Sequence, residues 1–189
     1  MTTDAIVLLK EDHKKVQHLF KRFEGLGPNA SKAKKDIVDK VVEELSIHSA
    51  VEEQIFYPAA RETLDDDSMV LEDLEEHHIM KWTLAELDGM RPEDERYDAK
   101  MTVLMELVRH HIKEEEDDLF PALREQLGRK RLAEVGEAMK EAKKFAPTRP
   151  HPRAPDTPPM NVIAGATAAA ADKVIDLTKG VVRKVTGGN

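Results

Sequence analysis

The chain has 189 residues, a net charge of −8 at pH 7, only 4% aromatic residues and no cysteine. That composition reads as all-α, with room for one domain and additions, and it excludes disulfides, thiolate ligands, iron–sulfur clusters and cysteine nucleophiles. The stretch from Ala146 onward carries six basic and three acidic side chains, so the body holds the negative charge; an acidic body argues for no nucleic acid among its partners.

The first predicted helix runs from about Asp4 to Glu24, with Thr3 as its cap and Leu9, Val16, Leu19, Phe20 and Phe23 along one stripe. Pro28-Asn29 breaks the chain, and Ser31 caps a second helix carrying Ile37, Val41, Leu45, His48, Glu52 and Ile55. The helical pattern passes Pro58 and reaches Leu64, so that proline reads as a kink. After the polar run 64–68 a third helix ends near Gly89, and Arg91-Pro92 opens a fourth with Met101, Leu104, Leu107, Val108, His111 and Glu115. A fifth amphipathic helix is expected from about Arg129 to Phe145. Six of the ten prolines then fall between Pro147 and Pro159, which predicts an extended, solvated linker. The expected organisation is a bundle with its added helix over 1–145, a Pro-rich linker over 146–160, and an Ala/Val-rich, helix-capable tail over 161–189 whose partner the sequence does not name.

The N-terminus lacks the pattern of a secretory signal, and no apolar run is long enough to span a bilayer. The tail's apolar residues are small, so firm membrane insertion is not expected. The default location is the cytoplasm.

One unit is written twice. His48…Glu52-Glu53-Gln-Ile-Phe56-Tyr57-Pro58 returns as His111…Glu115-Glu116-Asp-Asp-Leu119-Phe120-Pro121, and Glu11-Asp12-His13 returns as Glu75-Glu76-His77. His13 precedes His48 by 35 residues and His77 precedes His111 by 34. Each unit is a helical hairpin with one histidine on its first helix and His-x-x-x-Glu on its second, which stacks that His and Glu on one face. Two such hairpins bury their apolar faces only against each other, giving a four-helix up-down bundle. His13, His48, His77, His111, Glu52 and Glu115 then form a donor set that suits two transition-metal ions. Pairing within each hairpin, His13 with His48 and His77 with His111, is the simplest assignment, with Glu52 and Glu115 bridging. Leaving four imidazoles and two carboxylates buried and unpaired would be costly.

On these motifs, residues 4–127 resemble the hemerythrin-like, or HHE cation-binding, family. The resemblance implies a non-haem pair of iron ions on those six residues, closed by an oxo or hydroxo bridge; a mixed imidazole and carboxylate shell also suits manganese. One departure stands out. Oxygen-carrying hemerythrins place a second histidine four residues from the first on their third helix, whereas Asp73 and Lys81 flank His77 at that spacing here. Asp73 either replaces that imidazole or is a plain acid near a helix start. His110 competes with His111 for the inward register, while His18 and His78 are expected to point elsewhere. Glu53, Glu114 and Glu116 are expected on solvated or supporting faces. Tyr57, nine residues past His48 and matched by Phe120 in the second copy, is expected to serve packing, with a role as ligand or hydrogen-bond donor as the other reading.

The functional expectation is a di-iron protein that binds or reacts with hydrogen peroxide, dioxygen or nitric oxide, with catalase-like peroxide disproportionation as its enzymatic form. The alternative is a non-catalytic oxygen or iron sensor, or an iron-handling module.

Overall fold

The structure is a computed structural model that describes residues 4–156, 158, 160, 161 and 164–173. Its elements are α1 (Ala5–Glu24), α2 (Ser31–Val51), α3 (Tyr57–Arg61), α4 (Ser68–Gly89), α5 (Tyr97–Glu114) and α6 (Phe120–Lys143), with wide π turns at Glu52–Phe56 and Glu115–Leu119. The architecture is all-α, and no strand occurs among the described residues. No helix among them is long and apolar enough to cross a membrane.

The helix starts differ in detail from the sequence reading. Asp4 rather than Thr3 caps α1, accepting a hydrogen bond from Val7 N at 2.9 Å; Thr3 lies outside the described residues. Ser31 is the first residue of α2 rather than its cap. The fourth long helix begins at Tyr97, because Asp94 closes a turn by accepting from Arg91 N at 2.7 Å. The fifth helix is the second part of α6, set off from the first by Gly128 at φ 70°, a left-handed conformation that glycine alone adopts without strain.

The prolines kink the chain by a specific route. Pro58 and Pro121 have no N–H to donate to the preceding turn, and the turn ahead of each widens instead. Tyr57 N–H bonds Glu52 O and Phe120 N–H bonds Glu115 O, five residues back. Each wide turn takes up one extra residue and shifts the face presented by everything after it.

Apolar side chains form two clusters with a polar layer between them. One gathers Val16, Phe20, Val41, Leu45, Met80, Leu84, Met101, Leu104 and Val108. The other gathers Ile6, Leu9, Val51, Phe56, Val70, Leu119 and Phe120 with Leu132, Val135 and Met139 of α6. The two pseudo-repeated histidine pairs sit at the junction, so the bundle seals them from both ends.

The described part of the C-terminal stretch is not a solvated linker. Arg149 Nη1 donates to both carboxylate oxygens of Asp88 at 2.7–2.8 Å. Asp172, 1% exposed, accepts from the backbone N–H groups of Thr148 and Arg149 at 3.0 and 3.1 Å. Asn161 donates from Nδ2 to Glu53 O at 3.0 Å. Prolines prevent a helix there but leave carbonyls and flanking side chains free to bond the bundle. Residues 164–173 are helical; the tail's remaining apolar stripe, Val174 to Val185, lies outside the described residues.

Candidate metal centre

The polar layer brings together the side chains of His13 on α1, His48 on α2, His77 on α4, His111 on α5, and Glu52 and Glu115 at the two π turns. All six are at most 3% exposed. His77 and His111 turn their Nε2 atoms toward each other at 3.2 Å, and the rings of His13 and His48 meet edge-on at 5.2 Å. Each glutamate reaches one histidine of each pair. Glu52 Oε2 lies 3.0 Å from His48 Nε2 and 3.4 Å from His77 Nε2. Glu115 Oε2 lies 3.2 Å from His13 Nε2 and 3.6 Å from His111 Nε2. The ligand atoms fall into two overlapping groups, His48, Glu52, His77, His111 and His13, His48, Glu52, Glu115, each within 4.8 Å.

Close as they stand, several of these buried atoms make no hydrogen bond: His13 Nε2, both oxygens of Glu52, and Glu115 Oε2. Unsatisfied polar atoms at this depth are expensive unless something else occupies their lone pairs. A pair of cations fits that requirement in charge and in donor type.

The electrostatics of the cluster itself point the same way. Burial, reinforced by the Glu115 carboxylate, raises Glu52 well above the usual carboxylate range. Glu115 goes the other way: burial is the largest influence and would raise it, but the charge of His111, the hydrogen bond and charge of His13 and the charge of His48 together outweigh burial and hold it at about 2. Burial and the neighbouring His111 keep His77 neutral. At His111, burial acts downward, but Glu115, Glu76, Glu52 and Asp73 together push it up to about 9.

Around this layer lies a second ring of carboxylates on the outer nitrogens. Glu116 meets His13 Nδ1 at 2.8 Å, Glu53 meets His77 Nδ1 at 3.1 Å and Glu76 meets His111 Nδ1 at 2.8 Å, while Asp12 stands 3.8 Å from His48 Nδ1. A carboxylate there fixes the tautomer that leaves Nε2 free to bind a metal. The pattern obeys the repeat. The residue before the first histidine of a hairpin serves the second histidine of that hairpin, and the residue after the glutamate serves the first histidine of the other. Glu53 is thus deeply buried, with its carboxyl raised to about 7 by burial against the opposing pull of Lys81.

The neighbouring candidates separate clearly. His18, His78 and His110 face solvent. Asp73 is 3% exposed, but its Oδ1 faces the outer Nδ1 of His111 at 3.5 Å rather than the Nε2 side. Tyr57 departs from the packing expectation: its hydroxyl donates to Glu115 Oε1 at 3.1 Å and stands 3.3 Å from His77 Nε2. On an uninterrupted helix, residue 57 would point about 180° away from His48; the extra residue in the π turn brings it back to about 80°. The pseudo-equivalent Phe120 stacks on His13 at 5.8 Å and 9°. Beyond Tyr57 opens a cleft of about 400 Å³ bordered by Pro58, Arg61 and Asp156.

The profile of the hemerythrin HHE cation binding domain matches residues 4–123, well over half of the chain. The chain belongs to the hemerythrin HHE cation-binding family. It is similar to an uncharacterized hemerythrin-like protein of Schizosaccharomyces pombe, 30% identical over 93% of this chain and 85% of that protein. A DNA nickase of a Nostoc species is 26% identical over 72% of this chain, which spans 38% of that enzyme. The fold is shared with the crystal structure of a hemerythrin HHE cation binding domain-containing protein from Mycobacterium kansasii, at a TM-score of 0.63 and 24% identity over 75% of this chain and 85% of that one. As a hemerythrin-type domain, this chain has a buried His/Glu cluster that fits a metal pair.

Proposed function

We propose that this hemerythrin-like chain is a non-haem di-iron protein that binds and turns over small oxidants, with hydrogen peroxide as the substrate and dioxygen and nitric oxide as further ligands. The observation that carries this reading is the crossed reach of the two glutamates, each standing between a histidine of one pair and a histidine of the other. Carboxylates so placed bridge two cations and offset their mutual repulsion.

His13 and His48 would hold one ion and His77 and His111 the other, each through Nε2, with Glu52 and Glu115 shared and an oxo or hydroxo bridge closing the pair. Manganese suits the same donors. When bound, a metal pair supplies two-electron cycling, so that one peroxide is oxidised to dioxygen and a second is reduced to two waters without a separate redox partner. The chain's own residues orient and protect. The carboxylates on the outer nitrogens of His13, His77 and His111 hold those three imidazoles in one tautomer. The apolar clusters on either side exclude bulk water, and the Tyr57 hydroxyl, between the cleft and the pair, is placed to donate a hydrogen bond or a proton from Oη to an oxygen arriving from that side.

The test is to load the full chain with iron, record the near-ultraviolet absorption of ferric iron on nitrogen and oxygen ligands, and follow oxygen release from peroxide with an electrode. The reading expects one dioxygen per two peroxides consumed. A protein holding two irons that releases none is a binding protein rather than an enzyme.

A further inference from the structure

The two hairpins carry equivalent inner residues but unlike outer faces. Near Asp73 there is a cavity of about 130 Å³ lined by Met69, Glu72, Asp73, Glu114, Asp118 and Leu119. Four of the six are carboxylates, and none of these described lining residues is basic. In the repeat register the same six positions of the first hairpin are Ala5, Leu8, Leu9, Val51, Ile55 and Phe56. Those belong to the apolar cluster that Leu132, Val135 and Met139 of α6 cover. The bundle therefore does not need acids at these positions to fold, since one half does without them.

Next to the cavity stands a donor group outside the buried centre. His110, Glu114 and Glu76 have ligand atoms within 4.8 Å of one another, as do Asp73, Glu76 and His111. His110 Nε2 is 3.2 Å from Glu114 Oε1 and 3.7 Å from Glu76 Oε1. Glu76 belongs to both groups, because its other oxygen meets His111 Nδ1 at 2.8 Å. The outer member is accessible, with the His110 side chain 58% exposed. The inner member is not: Asp73 is 3% exposed, lines the cavity, and its Oδ2 is buried with no hydrogen-bond partner. That orphaned oxygen is what a cation passing inward would meet next.

We propose that this face is the entry port for the metal ions: a divalent first-row cation is first held by His110, Glu114 and Glu76, then drawn past Asp73 to the histidines of the centre. An imidazole with two carboxylates suits Fe2+ or Mn2+ held weakly enough to move on, and the carboxylates of Glu72 and Asp118, which make no ion pair among the described residues, concentrate cations at the mouth. This rests on the metal-pair reading above and adds the route by which the pair is filled. His110 is explained by it; the repeat puts Ile47 at the equivalent place.

The test uses the full chain freed of metal by chelation under reducing conditions, titrated with Mn2+ and refilled at limiting Mn2+, with free ion followed by electron paramagnetic resonance. The port variant is His110→Ala with Glu114→Gln. A second variant, Glu72→Lys with Asp118→Lys, alters only exposed positions, so the fold is kept in at least one arm. Wild type is expected to hold two Mn2+ tightly and a third weakly. The port variant should lose the third ion and fill its two tight sites at least tenfold more slowly, reaching the same endpoint. The lysine variant should keep the endpoint and slow filling with a marked dependence on salt. Equal filling rates with no third ion in wild type overturn the port. A wild type that holds one weak ion and no tight pair, with that ion lost in the port variant, leaves the port standing and removes the metal-pair reading.

Discussion

The first hairpin and the second present the same interior and opposite exteriors. Inward, both supply a histidine, a His-x-x-x-Glu face, and carboxylates for the outer nitrogens, down to the exchange of Asp12 for Glu76 and Glu53 for Glu116. Outward, Leu8, Leu9 and Val51 are sealed under α6, whereas Glu72 and Glu114 line a cavity with the buried Asp73. The difference teaches which parts the centre requires. Ligands and the groups that orient them are kept in both copies; the covering of the two sides is free to diverge, one side becoming core and the other a polar opening.

Exchanging residues between the copies breaks this comparison most sharply. Leu9→Asp puts the second copy's carboxylate beneath α6 at a fully buried position. It should destabilise the protein by about 4 kcal/mol or more, through lost packing and an unpaired buried acid, seen as a large drop in urea midpoint. The reverse exchange, Asp73→Leu, removes a buried acid with an unpartnered oxygen. The metal-free protein should then melt about 2–4 °C higher. A destabilised Asp73→Leu protein would mean that this carboxylate is part of the scaffold.

The outer carboxylates offer a finer comparison. Glu53→Gln and Glu116→Gln strip equivalent partners from His77 and His13, and each should weaken metal binding by about 10–100-fold in a chelator competition. Glu53 is nearly buried while the Glu116 side chain is 31% exposed, so the Glu53 variant should show the larger loss. Equal losses would mean that burial of the carboxylate does not strengthen its hold on the imidazole.

A pH dependence further distinguishes empty from loaded protein. In the metal-free fold, burial raises Glu53 to about 7, with Lys81 opposing, and burial with the nearby Glu115 charge raises Asp73 to about 8. Both hold protons when folded that they release on unfolding. His111, raised to about 9 from 6.5 because the surrounding carboxylates outweigh burial, gains its proton on folding. Each contribution is complete below the group's free value and gone above its folded one, Glu53 by about pH 7, Asp73 by about 8 and His111 by about 9. Metal-free protein should therefore still be losing stability between pH 6.5, where His111 begins, and pH 9, by roughly 5 °C in Tm. Loaded protein should be nearly flat over that range, because bound cations displace the protons concerned.

The repeat made much of this legible from sequence. The repeat put His48 with Glu52 and His111 with Glu115 on shared faces but left His110 competing with His111; the helix buries His111 and turns His110 to solvent. Two things escaped. Tyr57 was placed by ideal helical geometry, but the proline-induced π turn inserts a residue of rotation that the period cannot show. The carboxylates on the outer nitrogens were written in the same repeat, in Asp12 and Glu76 beside the first histidines and Glu53 and Glu116 beside the glutamates, yet they act on histidines of other helices, which a single-helix reading does not connect. The docked C-terminal stretch depends on single pairings, Arg149 with Asp88 and Asn161 with the Glu53 carbonyl, and isolated contacts of that kind leave no periodic trace.

The crossed glutamates are the centre of the account, and metal content of the Glu52→Ala protein beside wild type tests them most directly. Elemental analysis of both proteins, purified gently and refilled with iron, should give two ions per chain for wild type and close to none for the variant, since a shared carboxylate belongs to both ions. A wild type that holds a single ion, or a Glu52→Ala protein that keeps one of two, would contradict the bridged pair.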